Sequence, residues 1–478
     1  MSTESKPIII WDDSRAEAQN NCACSEIGTY EENILGKKVN QRWQQAKQTI
    51  SQPVADGYTL FINPLAQSGP VLLNDAGVKV FDKFVNPQPL EEDIARKLAE
   101  LGLLQPIDWP DFLESRPAQM LTAWLHITNA CNLRCSYCYI NKSNEAMDET
   151  TAKAAIEAII RSAIQHNYST VKLKYAGGEA TLNFHLLKTV HEYAEALALQ
   201  NNLVLIGVVL SNGVSLTNAM LDYIREHKLT LMISLDGSQA EHDKQRIFLN
   251  GVGSYDYVMR GVERAIAKGV QPHLSITVTE ESVHGLSEAV AFALKHQLLF
   301  NVNFYRQHTM VKVHDDMKAE DDRLIAALLS AFEIIKANPP KASVIGTLVD
   351  RSNFAGLHQH SCGAGHDYLV IDHQGGVASC QMEIEESIST VYADDPLLQI
   401  RRKATGFQNL AVEEKEGCRT CEWRYWCAGG CPLLTYRVTG RNDIKSPYCN
   451  VYKEIYPELM QVEGLRLLRW QPQVFPVA

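Results

Sequence analysis

Two hydrophobic periods alternate through the middle of the chain. Short apolar segments with strand character are followed by longer segments in which apolar residues recur every three or four positions, as in Tyr255–Lys268 and Asp321–Ala337. This order predicts an α/β fold in which a parallel sheet curls into a partial (β/α)6 barrel of the TIM type. In such barrels the loops after the strands carry the chemistry. The predicted strands are Leu121–Ile127, Val171–Tyr175, Leu203–Leu210, Thr230–Leu235, His273–Thr279 and Leu299–Phe304.

The flanking regions have different patterns. The N-terminal part combines a strand pattern at Tyr58–Ile62 with apolar residues at helical spacing, and the segment Asp108–Pro117 reads as a linker. The last quarter shows little periodicity and is rich in Gly and Cys. We therefore expect bound metal to stabilise the fold of this part. We expect a small α+β domain over 1–115, the barrel over 116–340, an irregular cysteine-rich domain over 341–460 and a tail over 461–478.

Composition narrows the class of protein. The 478 residues include 45% hydrophobic and 21% charged residues, which is typical of a globular protein. The net charge of -11 argues against a nucleic-acid partner, which Lys and Arg would have to bind. No apolar run approaches the roughly 18 residues of a membrane span, and the N-terminus lacks the features of a secretion signal. We therefore expect a cytoplasmic protein without a membrane partner.

Three of the 12 cysteines form a tight group directly after the first predicted strand: Cys131, Cys135 and Cys138. Three thiolates on one short loop can bind three irons of a cubane iron–sulfur cluster, which leaves the fourth iron open to an external ligand. The alternative is a zinc site. Structural zinc usually takes four protein ligands, and a fourth is not obvious near this group.

The segment CNLRCSYC after a strand resembles the radical S-adenosylmethionine (SAM) superfamily. Three later strand ends fit the same resemblance: GGEATL at 177–182, with Ala180 where the family usually has proline, SNG at 211–213, and SLDG at 234–237 followed by Arg246. The GGE loop alone also fits a tight βα turn, and Asp243 could pair with Arg246 for purely structural reasons. The resemblance implies that SAM is contacted by Tyr137, Gly177, Gly178, Glu179, Ser211, Asn212, Ser234 and Arg246.

Seven cysteines of the last quarter resemble the SPASM extension of radical SAM enzymes. The alternative is one or two zinc sites with spare thiols. The resemblance implies an outer auxiliary [4Fe–4S] cluster and an inner one with three recognisable thiolates, whose fourth ligand is open among substrate, solvent, His358, His360, His366, Cys22 and Cys24. The implied ligands are Cys418, Cys421, Cys427 and Cys449 for the outer cluster, and Cys362, Cys380 and Cys431 for the inner one.

The N-terminal region has two interpretations. The stretch from Val71 to Leu104 resembles the helical part of winged-helix domains that recognise the leader of a precursor peptide. Such domains commonly bind an extended peptide by adding a strand to a sheet edge. The alternative is a helical cap over the open barrel. Cys22 and Cys24 lie in a polar segment that we interpret as an exposed, flexible tail unless a cluster needs them.

Together the resemblances imply an oxidoreductase that cleaves SAM to a 5′-deoxyadenosyl radical and abstracts hydrogen from a peptide. The favoured substrate is a ribosomally made precursor peptide, with flavodoxin or ferredoxin as electron donor and three [4Fe–4S] clusters. One alternative is an anaerobic sulfatase-maturating enzyme, in which a carboxylate follows the second auxiliary cysteine. Here Gln381 follows Cys380 and cannot act as that base, although Glu383 and Glu385 lie nearby. Another alternative is a non-catalytic electron carrier or peptide-binding scaffold.

Overall fold

The structure is a computed structural model that describes residues 6–12, 41–66, 68–109, 119–307, 317–352, 354 and 357–475. Its N-terminal part is an α+β unit in which two helices pack beside short antiparallel strands. A cluster of buried apolar residues, including Phe61, Phe81 and Leu98, forms the core of this unit. Its elements are β1 (Ile9–Trp11), β2 (Trp43–Gln45), β3 (Ile50–Pro53), β4 (Tyr58–Ile62), β5 (Val71–Asn74), α1 (Asp75–Lys83), α2 (Asp93–Glu100) and β6 (Leu104–Pro106).

Parallel strands with helices between them follow. Asp148 begins the first of these helices, because its side chain accepts a hydrogen bond from the backbone N–H of Thr151 at 2.7 Å. The strands are β7 (Met120–Thr128), β8 (Thr170–Gly177), β9 (Val204–Ser211), β10 (Thr230–Ser234), β11 (His273–Val278) and β12 (Phe300–Phe304). The helices are α3 (Glu149–Gln165), α4 (Phe184–Gln200), α5 (Asn218–Glu226), α6 (Gln239–Gln245), α7 (Tyr255–Ala267), α8 (Leu286–Lys295) and α9 (Asp321–Ala337).

The C-terminal part extends the same sheet. Its first strand pairs in parallel with β7, and the next two continue the sheet antiparallel, so that the strand order in the described residues is β12-β11-β10-β9-β8-β7-β13-β14-β15. The loops of this part are thereby anchored beside the loop that follows β7. Its elements are β13 (Tyr368–Ile371), β14 (Gly376–Ala378), β15 (Ser389–Thr390), α10 (Pro396–Arg401), α11 (Arg424–Cys427), α12 (Pro432–Thr439), α13 (Cys449–Trp470) and β16 (Gln473–Phe475).

The predicted α/β partial barrel is confirmed. Each of the six predicted strands is present, with ends that differ by at most two residues, and neighbours along β7 to β12 are parallel. Parallel strands with a common direction place the loops after β7, β8, β9 and β10 at one edge of the sheet. The cysteine loop therefore lies beside the three segments that share its family resemblance, at 177–182, 211–213 and 234–237.

Two expectations for the ends of the chain are wrong in detail. Val71–Asn74 is a strand rather than part of a helical region, because Leu72 packs into the main core while Val71 and Leu73 pack on the opposite face. The expected tail from residue 461 is instead the second half of α13, and β16 pairs antiparallel with β1. Helix α13 has buried residues on several faces, so it lacks the one-sided apolar pattern that would have revealed it.

Parts of two other expectations lie outside the described residues. These are most of the linker expected at 108–117 and the segment with Cys22 and Cys24. Among the helices that the structure describes, none combines the length and the apolar character that crossing a membrane requires.

Candidate functional site

The first cysteine group lies on the loop after β7. The backbone N–H groups of Arg134 and Ser136 donate to the carbonyls of Ile247 and Gln245 at 2.7 and 2.9 Å, which ties this loop to the segment after α6. Cys131, Cys135 and Cys138 are unpaired thiols that are neither fully buried nor fully exposed. The loop therefore presents three sulfur atoms from a fixed backbone.

The spacing of the sulfur atoms distinguishes a cluster from a single metal ion. Four thiolates at about 2.3 Å around one zinc ion lie roughly 3.8 Å apart. Among the residues that the structure describes, no three cysteine Sγ atoms lie within 4.8 Å of one another. A polynuclear cluster separates its thiolates more widely than one ion does. The three thiols of this loop are compatible with the wider spacing of a polynuclear cluster.

Burial and nearby positive charges act in opposite directions on these cysteines. Burial raises the pKa of Cys131, and it raises the pKa of Cys135 to about 11, against which Arg246 acts in the opposite direction. The Lys142 ammonium donates a hydrogen bond to Sγ of Cys138 at 2.6 Å. A cation at this distance stabilises a thiolate ligand.

The two glycines after β8 let the chain approach the cysteine loop closely. Gly178 and Glu179 donate backbone hydrogen bonds to the carbonyls of Thr128 and Ala130 at 2.7 and 2.8 Å. A Cβ at Gly177 would lie 2.4 Å from the Thr128 oxygen, and one at Gly178 would lie 2.4 Å from the Ala130 oxygen. Any side chain at these positions would push the two loops apart.

Glu179 is a buried carboxylate that links the ends of β8 and β9. Its Oε1 accepts hydrogen bonds from the Thr181 hydroxyl at 2.6 Å and from the Ser211 hydroxyl at 3.0 Å, and its Oε2 accepts the backbone N–H of Asn212 at 2.6 Å. Burial raises the pKa of Glu179, while these hydrogen bonds favour its ionised form. Because Oε2 accepts only this one hydrogen bond from the described residues, it retains capacity for an ammonium group from a ligand.

A buried polar cluster connects the cysteine loop to the end of β10. The Tyr137 hydroxyl donates to Oδ2 of Asp236 at 2.6 Å, and Arg246 contacts both the Tyr137 hydroxyl and Asp236. Gln245 donates to the same Asp236 oxygen at 3.0 Å. Burial raises the pKa of Tyr137 well above its ordinary value, so the phenol stays protonated. The Nε of Arg246 is buried without a hydrogen-bond partner among the described residues, which is consistent with a ligand that would satisfy it.

The structure brings the predicted SAM contacts together around one cavity of about 340 Å³. This volume lies within the range of small-molecule sites. The cavity reaches from the cysteine loop across the strand ends to Gln381 and Met382 of the C-terminal part. The predicted residues that line it are Cys131, Cys135, Cys138, Tyr137, Gly177, Gly178, Glu179, Ser211, Asn212, Ser234 and Arg246.

The three predicted inner ligands, Cys362, Cys380 and Cys431, lie close enough to influence one another's ionisation. Burial raises the pKa of Cys380 to about 12. Burial also acts to raise the pKa of Cys431, but Arg306 and Arg351 outweigh it and lower the pKa overall. The two guanidinium groups thus place positive charge beside one of the three sulfurs, where it would offset the charge of an anionic cluster.

The candidate fourth ligands of the inner group differ in the contacts that their side chains already make. His366 contacts the Asn409 carbonyl oxygen through Nε2 at 2.9 Å, and His358 contacts the Trp426 carbonyl oxygen through Nδ1 at 3.4 Å. One ring nitrogen of each is thereby engaged. His360 packs against His366 with ring centroids 4.1 Å apart. Cys22 and Cys24 lie outside the described residues.

The four predicted outer ligands, Cys418, Cys421, Cys427 and Cys449, also come together. Cys418, Cys421 and Cys449 each influence the ionisation of Cys427, whose pKa burial raises to about 12. The buried Lys415 lies near Cys418 and Cys427 and donates to the Ala428 carbonyl at 2.8 Å. The start of α13 therefore brings Cys449 close to the cysteines of the preceding CxxC segment.

Sequence reasoning missed several residues around the cavity. Lys142 follows the cysteine group by four positions, and Arg306 follows the last barrel strand by two, so their positions were available signals. Asp350 forms an ion pair with Arg306 at 2.5 Å but lies in a segment with no recognisable pattern. The missed residues that line the cavity or support its walls are Lys142, Lys174, Asp236, Arg306, Asp350 and Arg351.

Comparison with known proteins finds a family match for the barrel and similar proteins that cover most of the chain. Residues 125–293 match the Radical SAM superfamily. The chain is 24% identical over 357 residues to the serine-type anaerobic sulfatase-maturating enzyme of Klebsiella aerogenes, covering 69% of this chain and 84% of that protein. It is 25% identical over 360 residues to the AdoMet-dependent heme synthase of Oleidesulfovibrio alaskensis, covering 70% and 88%.

A solved structure has the same fold. Native anSMEcpe with bound AdoMet and Cp18Cys peptide matches with a TM-score of 0.60 at 16% identity, over 74% of this chain and 99% of that chain. The superfamily match implies SAM and a [4Fe–4S] cluster as cofactors. The relatives differ in the substrates that their names indicate, so relatedness alone does not select a substrate.

Proposed function

The chain carries a radical SAM domain, and from this premise we propose that it is an enzyme that removes hydrogen from a residue of a peptide substrate. The observation that supports this proposal is the cavity of about 340 Å³ shared by the first cysteine group, the predicted SAM contacts and the loop after Cys380. A substrate in this cavity would lie between the SAM site and the inner cysteine group.

The first cysteine group would hold a [4Fe–4S] cluster through Cys131, Cys135 and Cys138. When bound, the reduced cluster and SAM together supply a carbon-centred radical that removes hydrogen from an unactivated carbon. The protein contributes binding and orientation. Arg246 would pair with the SAM carboxylate, Glu179 would accept its ammonium group, and Ser234 would contact its ribose.

Exclusion of water is the second task of the site. The aromatic ring of Tyr137 and the apolar side chains of Met232 and Val302 line the cavity wall, and the first of these is held by Asp236. We propose that these side chains help to keep water and other hydrogen donors away from a reactive carbon. We propose that two further groups of cysteines would hold auxiliary clusters, which would supply redox capacity beside the substrate. These groups are Cys362, Cys380 and Cys431, and Cys418, Cys421, Cys427 and Cys449. Flavodoxin or ferredoxin would supply the first electron.

A peptide substrate is supported by two features. A protein of the same fold binds AdoMet and a peptide together. In addition, the N-terminal unit of this chain forms an antiparallel sheet with the order β16-β1-β5-β4-β3, so that β3 and β16 are its outer strands in the described residues. We propose that a ribosomally made precursor peptide adds a strand at such an edge, as extended peptides do in other domains.

The sulfatase-maturating alternative is disfavoured by the position after the second auxiliary cysteine. Gln381 lines the cavity and accepts a hydrogen bond from the Tyr368 hydroxyl at 3.1 Å. Glu383 lies 3.5 Å from Lys403 and 3.9 Å from Arg437. Asp350, which lines the cavity as Glu179 does, is paired with Arg306. An amide at position 381 cannot take up the proton that this alternative assigns to it.

The test has two stages. Protein reconstituted under anaerobic conditions and reduced with dithionite should form 5′-deoxyadenosine from SAM, whereas the Cys131→Ala, Cys135→Ala, Cys138→Ala triple variant should form none. Cys418→Ala is the matched control, because it should keep the first cluster and SAM cleavage while impairing substrate turnover. SAM cleavage by the triple variant would contradict the assignment of the first group.

The second stage identifies the substrate class. The protein is co-expressed with a short open reading frame adjacent to its gene, and the peptide is analysed by mass spectrometry. Loss of hydrogen from the peptide, absent with the triple variant, supports the proposal. An unmodified precursor together with oxidation of a sulfatase peptide would favour the alternative, and SAM cleavage without a change in either peptide would argue against a peptide substrate.

A further inference from the structure

Two helices on the outside of the barrel bring a His–Glu–His group together. His191 and Glu195 lie one turn apart on α4, and His227 lies at the C-terminal end of α5. One possible ligand atom from each of the three lies within 4.8 Å of the others. Among the described residues this is the only group of three or more His, Cys, Asp or Glu side chains that meets this spacing.

The distances within this group suit a single small cation. Glu195 Oε1 lies 3.4 Å from Nε2 of His191, and the two carboxylate oxygens lie 3.2 and 3.0 Å from Nδ1 of His227. Ligand atoms at about 2.0–2.2 Å around a tetrahedral zinc ion lie roughly 3.3 Å apart. The apo spacing is thus already close to that of a loaded site.

His191 is the buried member of the group. It is 2% exposed, and its Nε2 has no hydrogen-bond partner in the part of the chain that the structure describes, although it faces the Glu195 carboxylate. Its other ring nitrogen, Nδ1, lies 2.8 Å from the hydroxyl of Tyr175 on β8. A hydrogen bond at one ring nitrogen that fixes the ring and leaves the other aimed at a cation is the usual arrangement around a metal-binding histidine.

The surroundings are shaped for these two imidazole rings. A Cβ at Gly207 of β9 would lie 3.0 Å from Cε1 of His191 and 2.2 Å from Leu229, so glycine is needed to admit the ring against the sheet. The ring of Tyr223 stacks on His227 with centroids 4.0 Å apart. Both nitrogen donors are therefore held in place before any cation arrives.

We propose that His191 Nε2, the Glu195 carboxylate and His227 Nδ1 bind one zinc ion. Two imidazole nitrogens and one carboxylate suit zinc, whereas magnesium and calcium prefer oxygen ligands. Among divalent ions with such ligands, zinc binds more tightly than iron(II) or manganese(II). The side chains of Glu195 and His227 are 41% and 26% exposed, so the fourth position faces solvent.

The bound ion would stabilise the packing of two helices against the barrel sheet. It joins α4 to the end of α5 behind β8, the strand that leads into Gly177, Gly178 and Glu179. Since Tyr175 points to this outer side, the ion stabilises the barrel wall and takes no part in the radical reaction. Its loss should lower thermal stability and leave SAM cleavage per intact cluster unchanged.

The test uses protein already loaded with iron–sulfur clusters, so that the cysteines are occupied. After equilibration with micromolar zinc chloride and removal of excess, mass spectrometry of the metals should find about one more zinc per chain in the wild type than in Glu195→Gln or His227→Ala. His185→Ala, an exposed histidine on the same helix, is the matched control and should retain the zinc. Zinc should raise the melting temperature of the wild type and of the control by a few degrees and leave both variants unchanged.

Spectroscopy separates this site from adventitious binding. X-ray absorption at the zinc edge should show only nitrogen and oxygen neighbours. A sulfur shell would place the zinc at the cysteines and overturn the proposal. Equal zinc content in the wild type and the two variants, or no zinc in the wild type, would overturn it as well.

Discussion

The hydroxyl of Tyr137 on the cysteine loop donates a 2.6 Å hydrogen bond to Oδ2 of Asp236 at the end of β10. The same carboxylate accepts the backbone N–H of Thr277 through Oδ1 at 2.9 Å and contacts Arg246. One buried acid therefore fixes Tyr137 and Arg246, two of the predicted SAM contacts, relative to each other. We therefore predict that Asp236 is a positioning residue for SAM binding.

Asp236→Asn should weaken SAM binding roughly 10- to 100-fold, the effect of losing one or two hydrogen bonds to charged groups. The amide would turn an N–H group toward the donors of Tyr137, Gln245 or Arg246, and Arg246 would lose its buried counter-charge. Tyr137→Phe keeps the ring and removes one hydroxyl, so its loss should be smaller. Equilibrium dialysis of SAM with cluster-loaded protein measures both, and unchanged affinity of the Asn variant at normal iron content would refute the role.

Lys142 is predicted to set the potential of the first cluster. Its ammonium lies 2.6 Å from Sγ of Cys138, and a cation near a ligand sulfur stabilises the more negative, reduced form. Lys142→Met should therefore lower the reduction potential. A change of about 1 kcal/mol corresponds to roughly 40 mV for one electron. Lys142→Arg keeps the charge and should stay near the wild-type value in a titration followed by electron paramagnetic resonance, whereas equal potentials in all three proteins would show that the contact has no electronic effect.

The sequence predicts those parts of this site whose residues lie close together along the chain or at the ends of predicted strands. Cys131, Cys135 and Cys138 lie within eight residues, and the strand-end residues Glu179 and Ser234 are located by the alternation of strands and helices. The contacts of Tyr137 with Asp236 and with Arg246 join positions about 100 residues apart, which no local pattern reveals. Knowledge of the fold was needed to place them together.

The same reasoning explains the elements that were missed. Val71–Asn74 has both faces buried against different cores, so it lacks the polar alternation of an ordinary strand. The pairing of β16 with β1 joins the two ends of the chain, which only tertiary structure specifies. His227 and Glu195 are 32 residues apart and on different helices, so the sequence gives no sign of their contact.

Gly178→Ala should displace the cysteine loop from the end of β8. The new Cβ would lie 2.4 Å from the carbonyl oxygen of Ala130 and 2.5 Å from that of Asn129. Both are backbone atoms, so the loop itself would have to move to relieve the overlap. We expect less iron bound at the first cluster and strongly reduced SAM cleavage. Gly269→Ala is the control: it has an unfavourable φ of +75°, but a Cβ there meets nothing within 4 Å. Equal losses of activity in both variants would show that the close approach of the two loops at Gly178 is not the cause.

Asp367 should give the free energy of unfolding a characteristic pH dependence. It lies just before β13, it is 6% exposed, and its Oδ1 has no hydrogen-bond partner among the described residues. Burial raises the pKa of Asp367 to about 7, with Arg401 acting in the opposite direction. The unfolded carboxyl has a pKa near 3.9, so between about pH 4 and pH 7 the folded protein holds a proton that the unfolded chain has released. Stability should therefore fall as the pH rises through this window and level off above it.

Asp367→Asn removes this proton uptake while keeping the shape of the side chain. Compared with the wild type, the variant should lose part of the fall in melting temperature between pH 6 and pH 8 and should be the more stable protein at pH 8. The exposed Asp394→Asn is the matched control and should retain the wild-type slope. Thermal unfolding of cluster-loaded protein under anaerobic conditions measures all three. A wild-type slope in Asp367→Asn would mean that Asp367 is ionised throughout this range and that its burial is compensated by the positive charge of Arg401.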